Sequence, residues 1–215
     1  MSQELVCPSH EDAKVASPEP PLLIVLSGPS GVGKDSVIEE LKKTEANRHF
    51  VVTATTRSPR PGETNGVDYI FLDESTFLEM RQNHQLLESA QYSGRWYGVP
   101  RSQVSEALEA GKDVFLKIEV QGAETVRGLA PEAVLVFLAP GSFEELAQRL
   151  AQRRTEDSSE LQRRLDIARR EMEQVSRYDY CVVNRDGCLE QAVSDIEAII
   201  IAEKCRVEPR KVRLE

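Results

Sequence analysis

The chain is predicted to be an α/β protein built on a parallel sheet with helices on both faces. Three observations carry that prediction. A short apolar run, Leu22-Leu23-Ile24-Val25-Leu26, ends in the glycine-rich loop Ser27-Gly28-Pro29-Ser30-Gly31-Val32-Gly33 and then enters a segment of helical spacing. From about residue 101 onward, apolar runs of strand length alternate with amphipathic segments. Between about 53 and 100 the alternation gives way to turn-rich and β-patterned sequence, which reads as a small insertion between two α/β halves. The length of 215 residues suits one domain, and a formal net charge of −9 offers no broad surface for nucleic acid.

The first apolar run is continuous rather than alternating, as expected of a strand buried on both faces. Gly28, Gly31 and Gly33 let the backbone turn so that successive N–H groups point inward at an anion. Val37, Ile38 and Leu41 then form one face of a helix whose N-terminus offers more unpaired N–H groups to the same anion. Lys34 reaches the outer phosphates. In this strand–loop–helix context the motif is the phosphate-binding P-loop, and the sheet is of P-loop NTPase type. Gly28, Pro29, Ser30, Gly31, Val32, Gly33, Lys34, Asp35 and Ser36 are the expected ATP-phosphate residues. The position after the lysine usually carries a hydroxyl for Mg²⁺; here it is Asp35, with Ser36 next, and both are candidate metal partners.

Phe50 to Ala54 is predicted to be the second strand. The connection from Thr55 to Gly66 contains Pro59 and Pro61, which bar a regular helix. Tyr69 to Leu72 is a short strand, followed by a helix carrying Phe77, Leu78 and Met80 and capped by Asp73 or Ser75. Leu86 to Tyr92 and Trp96 to Val99 alternate like an antiparallel pair turned at Ser93-Gly94. The α/β pattern resumes with a helix from about Ser102 to Gly111, the strand Val114 to Ile118, a helix after Gln121-Gly122 and the strand Val134 to Leu138. Pro140-Gly141-Ser142 opens a helix holding Phe143, Leu146 and Leu150. The charged stretch Arg153 to Ser159 separates it from a second helix with Leu161, Leu165, Ala168, Met172 and Val175. Tyr180 to Asn184 is the last strand, and a helix from about Leu189 to Cys205 closes the domain. Ligands of such sheets sit at the carboxyl ends of the strands, so Thr53, Glu119 and Asn184 are expected around the P-loop.

Residues 1–20, with Pro18, Pro20 and several acids and with Pro21 directly after, read as a disordered tail, and 206–215 as a C-terminal tail. The tail lacks the apolar core of a signal peptide and is too acidic for a transit peptide. The four cysteines have no metal-binding spacing, so reduced thiols in the cytoplasm are expected. No run is long enough to span a membrane. Arginine outnumbers lysine and crowds 149–170, as suits a protein that grips small polyanions.

Two further motifs narrow the reading. Thr55 to Tyr69 contains Thr-Thr-Arg-Ser-Pro-Arg-Pro-Gly-Glu-x-x-Gly-x-Asp-Tyr, and Leu87 to Gly98 reads Leu-Glu-Ser-Ala-Gln-Tyr-Ser-Gly-Arg-Trp-Tyr-Gly. With the P-loop, these resemble guanylate kinase, the ATP:GMP phosphotransferase, from about residue 22 to about 205. The resemblance implies a core of 21–52, 101–140 and 178–205, a mainly β GMP-binding insertion at 53–100 and a helical lid at about 141–177. It implies Mg²⁺ with ATP, and GMP or dGMP as acceptor. Glu88 can accept from guanine N1–H and N2–H₂ together, and Thr53 can donate to O6. Glu119 and Gly98 are placed at the base site by resemblance. Arg57, Arg60, Tyr69 and Tyr97 would hold the GMP phosphate. Glu63 either joins them or orients an arginine. Arg153 and Arg164 match the lid arginines, with Arg149 a lesser candidate, and Asn184 resembles the residue that touches adenine. Lys34, Arg57, Arg153 and Arg164 are the expected catalytic group. Two positions depart from the family pattern: Val99 replaces a small hydroxyl residue, and Lys117 replaces a commonly acidic one. The competing readings are a non-catalytic interaction module of the same fold, and a sister P-loop kinase with another phosphorylated acceptor. Lys34, Arg153 and Arg164 speak against the first. Oligomeric state is left open.

Overall fold

The computed structural model describes residues 19–44, 46–92, 94–152 and 158–214. Its elements run β1 (Leu23–Ser27), α1 (Lys34–Leu41), β2 (Arg48–Phe50), β3 (Ala54–Thr55), β4 (Ile70–Phe71), α2 (Glu74–Gln82), β5 (Leu86–Tyr92) and β6 (Arg95–Pro100). There follow α3 (Arg101–Glu109), β7 (Asp113–Lys117), α4 (Val120–Leu129), β8 (Val134–Pro140), α5 (Phe143–Gln152), α6 (Ser158–Met172), a 3₁₀ turn (Glu173–Arg177), β9 (Tyr180–Asn184) and α7 (Leu189–Lys204).

The main sheet has the order β2-β7-β1-β8-β9, with every pairing parallel. Central β1 is buried along its whole length, which is why its sequence shows no polar alternation. Successive side chains still serve opposite faces. Leu22, Ile24 and Leu26 pack with Val37, Ile38 and Leu41 of α1 and with Ile196 and Ile200 of α7. Leu23 and Val25 pack instead with Val104 of α3 and Val126 of α4. Each fully buried leucine or valine contributes about 1.5–3 kcal/mol of transfer free energy, so burial on both faces holds the sheet that carries the P-loop.

The second sheet, β4-β3-β6-β5, is drawn from residues 54–100, and α2 packs on it through Phe77 against Ala54, Leu86 and Trp96. Asp73 caps α2 by accepting from the Thr76 N–H at 2.8 Å, as the sequence suggested. The strand expected at 50–54 is divided between the two sheets. Phe50 belongs to β2 and stacks on Phe115, whereas Ala54 begins β3. Between them, Gln103 of α3 stands in for a strand partner: its Oε1 accepts from the Val52 N–H and its Nε2 donates to the Val52 carbonyl. The divide falls where one β-branched run crosses from core to insertion. The helix expected after Gln121-Gly122 begins at Val120 and includes both residues.

Among the described residues the C-terminal segment has no helix or strand after Lys204, yet it is tied down. Arg210 donates to both oxygens of buried Glu203, and Val212 and Leu214 pack against the α3–α4 core. Residues 1–18 and the 153–157 stretch, including Arg153, lie outside the described residues.

Candidate active site

The loop after β1 closes around Lys34. Its Nζ donates to the carbonyls of Gly28 at 2.6 Å and Pro29 at 3.3 Å, and pairs with Glu119 Oε2 at 3.2 Å. Two of the glycines are required. At Gly28 a Cβ would stand 2.2 Å from the Leu138 carbonyl oxygen, and φ there is +142°. Gly33, the residue before α1, has φ +99° and would meet Asn184 Nδ2 at 2.5 Å. The loop is braced from behind. Asn184 Nδ2 and Arg149 Nη1 both donate to the Val32 carbonyl, at 2.9 and 3.1 Å, and Arg149 is itself fixed by Asp186. Asn184 is buried and does not line the cleft; here it is a support of the loop.

In front of the loop lies a cleft of about 360 Å³. Ser30, Gly31, Val32, Gly33, Lys34, Asp35, Ser36, Thr53, Arg57, Arg60, Tyr69, Glu88, Tyr97, Glu119 and Arg164 all line it. The structure therefore brings together fifteen of the residues nominated from sequence. Gly28, Pro29, Glu63, Gly98 and Asn184 lie behind or beside its wall. Gly98 is packed against Leu86 and Phe77, where a Cβ would come within 3.0 Å, so it shapes the insertion.

At one end of the cleft sits Glu88 on β5, only 5% exposed. Its Oε2 is buried without a hydrogen-bond partner. Burial, with the charge of Glu119 added, pushes this carboxyl up to about 8. Gly122, in the first turn of α4, makes room for it: a Cβ there would be 2.8 Å from Glu88 Oε2. Gly122 is not among the site residues expected from the sequence, which reads it as the turn before a helix. Val99, the replacement for a hydroxyl residue, is fully buried among Leu87, Val104 and Leu116 and is spent on the core.

The other end is cationic. Arg57 donates through Nη1 and Nη2 to the two oxygens of Glu63 at 2.9 and 2.8 Å, and Glu63 Oε2 also accepts from the Arg60 N–H. Glu63 thus orients Arg57 and fixes the 57–63 loop. The pairing raises the Arg57 guanidinium and lowers the Glu63 carboxyl. Arg57 stands 5.2 Å over the Tyr69 ring, and Tyr69 meets Tyr97 edge-on at 6.2 Å. Burial raises the Tyr69 phenol, so it is a donor at neutral pH. From α6, Arg164 is 9% exposed and donates to Ser30 Oγ at 3.0 Å, above the loop. Ala90, Tyr92, Arg95, Lys117, Ile118 and Gly122 complete the wall. Burial also pushes the Glu171 carboxyl up to about 7, with Glu119 adding to it and Lys34 opposing.

Asp35 and Ser36 are oxygen donors at the mouth of the phosphate loop. Among the described residues no group of three or more His, Cys, Asp or Glu is placed to hold a metal. That donor set fits a Mg²⁺ bound mainly by substrate phosphates rather than by a protein cage. No helix among the described residues is long and apolar enough to cross a membrane.

A phosphate loop at the carboxyl end of a parallel sheet, facing a second pocket that is cationic at one end and carboxylic at the other, defines a P-loop phosphotransferase with two substrate sites. Within that class the assignment is specific. The family profile described as guanylate kinase matches residues 21–203, and the chain belongs to the guanylate kinase family. It is 47% identical over 187 residues to guanylate kinase of Desulfitobacterium hafniense (strain Y51), covering 87% of this chain and 92% of that one. It is 44% identical over 201 residues to guanylate kinase 2, chloroplastic/mitochondrial, of Oryza sativa subsp. japonica, covering 93% of this chain and 70% of that one. The crystal structure of guanylate kinase from Anaplasma phagocytophilum superposes with a TM-score of 0.72 at 32% identity, over 88% of this chain and 89% of that one.

Proposed function

We propose that this chain carries out the ATP:GMP phosphotransfer of its family in this cleft, giving ADP and GDP, with dGMP as a second acceptor. The observation that carries the assignment of the acceptor is Glu88, a buried carboxyl with an unpartnered oxygen facing the cleft. Guanine presents two adjacent donors, N1–H and N2–H₂, to such a group, whereas adenine presents a lone pair at N1. Arg57, Arg60, Tyr69 and Tyr97 hold the monophosphate at the opposite end, Arg57 pre-set by Glu63.

The P-loop amides and Lys34 hold the triphosphate. Asp35 and Ser36, together with the phosphates, would hold Mg²⁺, which would supply neutralisation of phosphate charge. An oxygen of the GMP phosphate bonds to the γ-phosphorus as its bond to the bridging oxygen breaks, and the electron pair leaves with ADP. No protein nucleophile is needed; alignment and charge stabilisation do the work. Arg164 is poised over the loop to meet the moving phosphoryl group. Arg153 is assigned to the same task by its family motif alone. Glu119, paired with Lys34, stands between the triphosphate loop and the base end of the cleft. The exposed thiols Cys181, Cys188 and Cys205 suit a reducing compartment such as the cytoplasm.

A coupled ATP-to-ADP assay with GMP, dGMP, AMP, IMP and UMP tests the assignment. Turnover with GMP and dGMP well above the others is expected, and equal use of AMP would remove Glu88 from base recognition. For Arg164→Ala, kcat should fall about 10²-fold or more while the KM for ATP moves little. A loss confined to KM would place Arg164 in binding rather than in the transition state.

A further inference from the structure

Two cations converge on one tyrosine at the monophosphate end of the cleft. Arg57 stands 5.2 Å over the Tyr69 ring centroid and Lys117 Nζ 5.0 Å from it. Each is matched by a carboxylate, Arg57 by Glu63 and Lys117 by Asp35, whose Oδ1 accepts from Nζ at 2.5 Å. Lys117 ends β7, beside β1, and Asp35 lies in the first turn of α1, so the second pair bridges the triphosphate loop and the monophosphate corner.

The two pairs are built differently. Glu63 is 18% exposed, grips Arg57 with both oxygens and is held by the Arg60 N–H as well. In the Lys117–Asp35 pair the lysine side chain is 21% exposed but the aspartate 72%. A pair with one end in water adds little to stability, while the sheltered ammonium bears a desolvation cost. Water can take the place of Lys117 on Asp35 readily; nothing comparable can replace Arg57 on Glu63. An entering phosphate dianion, repelled by the Asp35 carboxylate and attracted by the ammonium, therefore has one partner that is easy to displace.

We propose that Lys117 is a ligand of the acceptor phosphate, and that Asp35 is the counter-ion it exchanges for that phosphate when the acceptor binds. The proposal rests on the reading of this corner as the GMP-phosphate site and adds to it a residue outside the Arg57, Arg60, Tyr69 and Tyr97 set. It also gives the sequence departure at 117 a purpose: a lysine here supplies attraction where an acid would supply repulsion.

Calorimetric titration with GMP and with guanosine, without ATP or metal, tests it in the wild type, Lys117→Met and Lys117→Arg. Lys117→Met should weaken GMP about tenfold or more and leave guanosine within about twofold, because only the phosphate contact is lost. Lys117→Arg should recover most of the GMP affinity, since the charge is retained. The GMP affinity of Lys117→Met should also fall less steeply with added salt than that of the wild type. Wild-type GMP affinity in Lys117→Met, or equal weakening of GMP and guanosine, would overturn the role of Lys117 while leaving the cleft assignment intact. A wild type that bound neither ligand would overturn the cleft assignment itself.

Discussion

Lys34→Ala is expected to lower kcat by about 10³-fold or more, with GMP affinity within about twofold of the wild type. Lys34 is held by two loop carbonyls and by Glu119, so its ammonium is fixed at the centre of the amide cradle before any nucleotide arrives. A charge preorganised in this way stabilises the moving phosphoryl group without the reorganisation that water would require. The monophosphate end is built from Arg57, Arg60, Tyr69 and Tyr97, none of which is bonded to Lys34, which is why acceptor binding should survive. Lys34→Arg should not restore turnover: a planar guanidinium cannot occupy the space of an ammonium between the Gly28 and Pro29 carbonyls. Steady-state kinetics beside GMP titration read both quantities. Turnover near that of the wild type in Lys34→Ala would contradict the P-loop role, and a parallel loss of GMP binding would mean that the substitution had collapsed the cleft.

That separation of the two ends was legible in the sequence, because each end is written in a local run. The P-loop occupies one stretch, Arg57 to Tyr69 another, and the Glu88 and Tyr97 strands a third. Glu63 lies six residues from Arg57, so its pairing was foreseeable as one of two readings. What the sequence did not reveal depends on contacts between distant positions. Lys117 reads as a family departure at the end of a strand; only the fold brings it to Asp35, 82 residues away. Asn184 and Arg149 carry motif-like identities, yet the turn of β9 and α5 behind the loop directs them to the Val32 carbonyl. The strand at 50–54 was misread for a similar reason. Its β-branched residues give no hint that a glutamine from α3 interrupts the ladder at Val52.

Glu88→Gln should separate acceptor recognition from everything else, and its signature is pH. In the unliganded protein the Glu88 carboxyl is raised to about 8 by burial and by Glu119, so it is largely protonated at neutral pH. Guanine needs the ionised form, because both of its facing groups are donors. GMP binding must therefore release a proton below about pH 8. Apparent affinity should rise close to tenfold per pH unit from about pH 6 toward 8 and then level off. AMP should respond in the opposite sense, since a protonated carboxyl can donate to adenine N1, so selectivity for GMP should sharpen with pH. Calorimetry in buffers of different ionisation enthalpy measures the proton directly. Glu88→Gln cannot lose that proton and turns an amide N–H₂ or a single oxygen toward the two guanine donors. Its GMP affinity should drop about 10²-fold or more and become flat across the same range. Stability gives an independent check. A carboxyl whose folded pKa lies above its unfolded value of 4.5 favours the native state at low pH and loses that contribution as pH rises through 4.5 toward 8. Between pH 5 and 8 the unliganded wild type should accordingly weaken by roughly 3 kcal/mol more than Glu88→Gln, which keeps the slope contributed by Glu171, itself raised to about 7. A variant that kept the wild-type pH dependence of GMP binding would move base recognition away from Glu88, and one that impaired GMP and UMP equally would do the same.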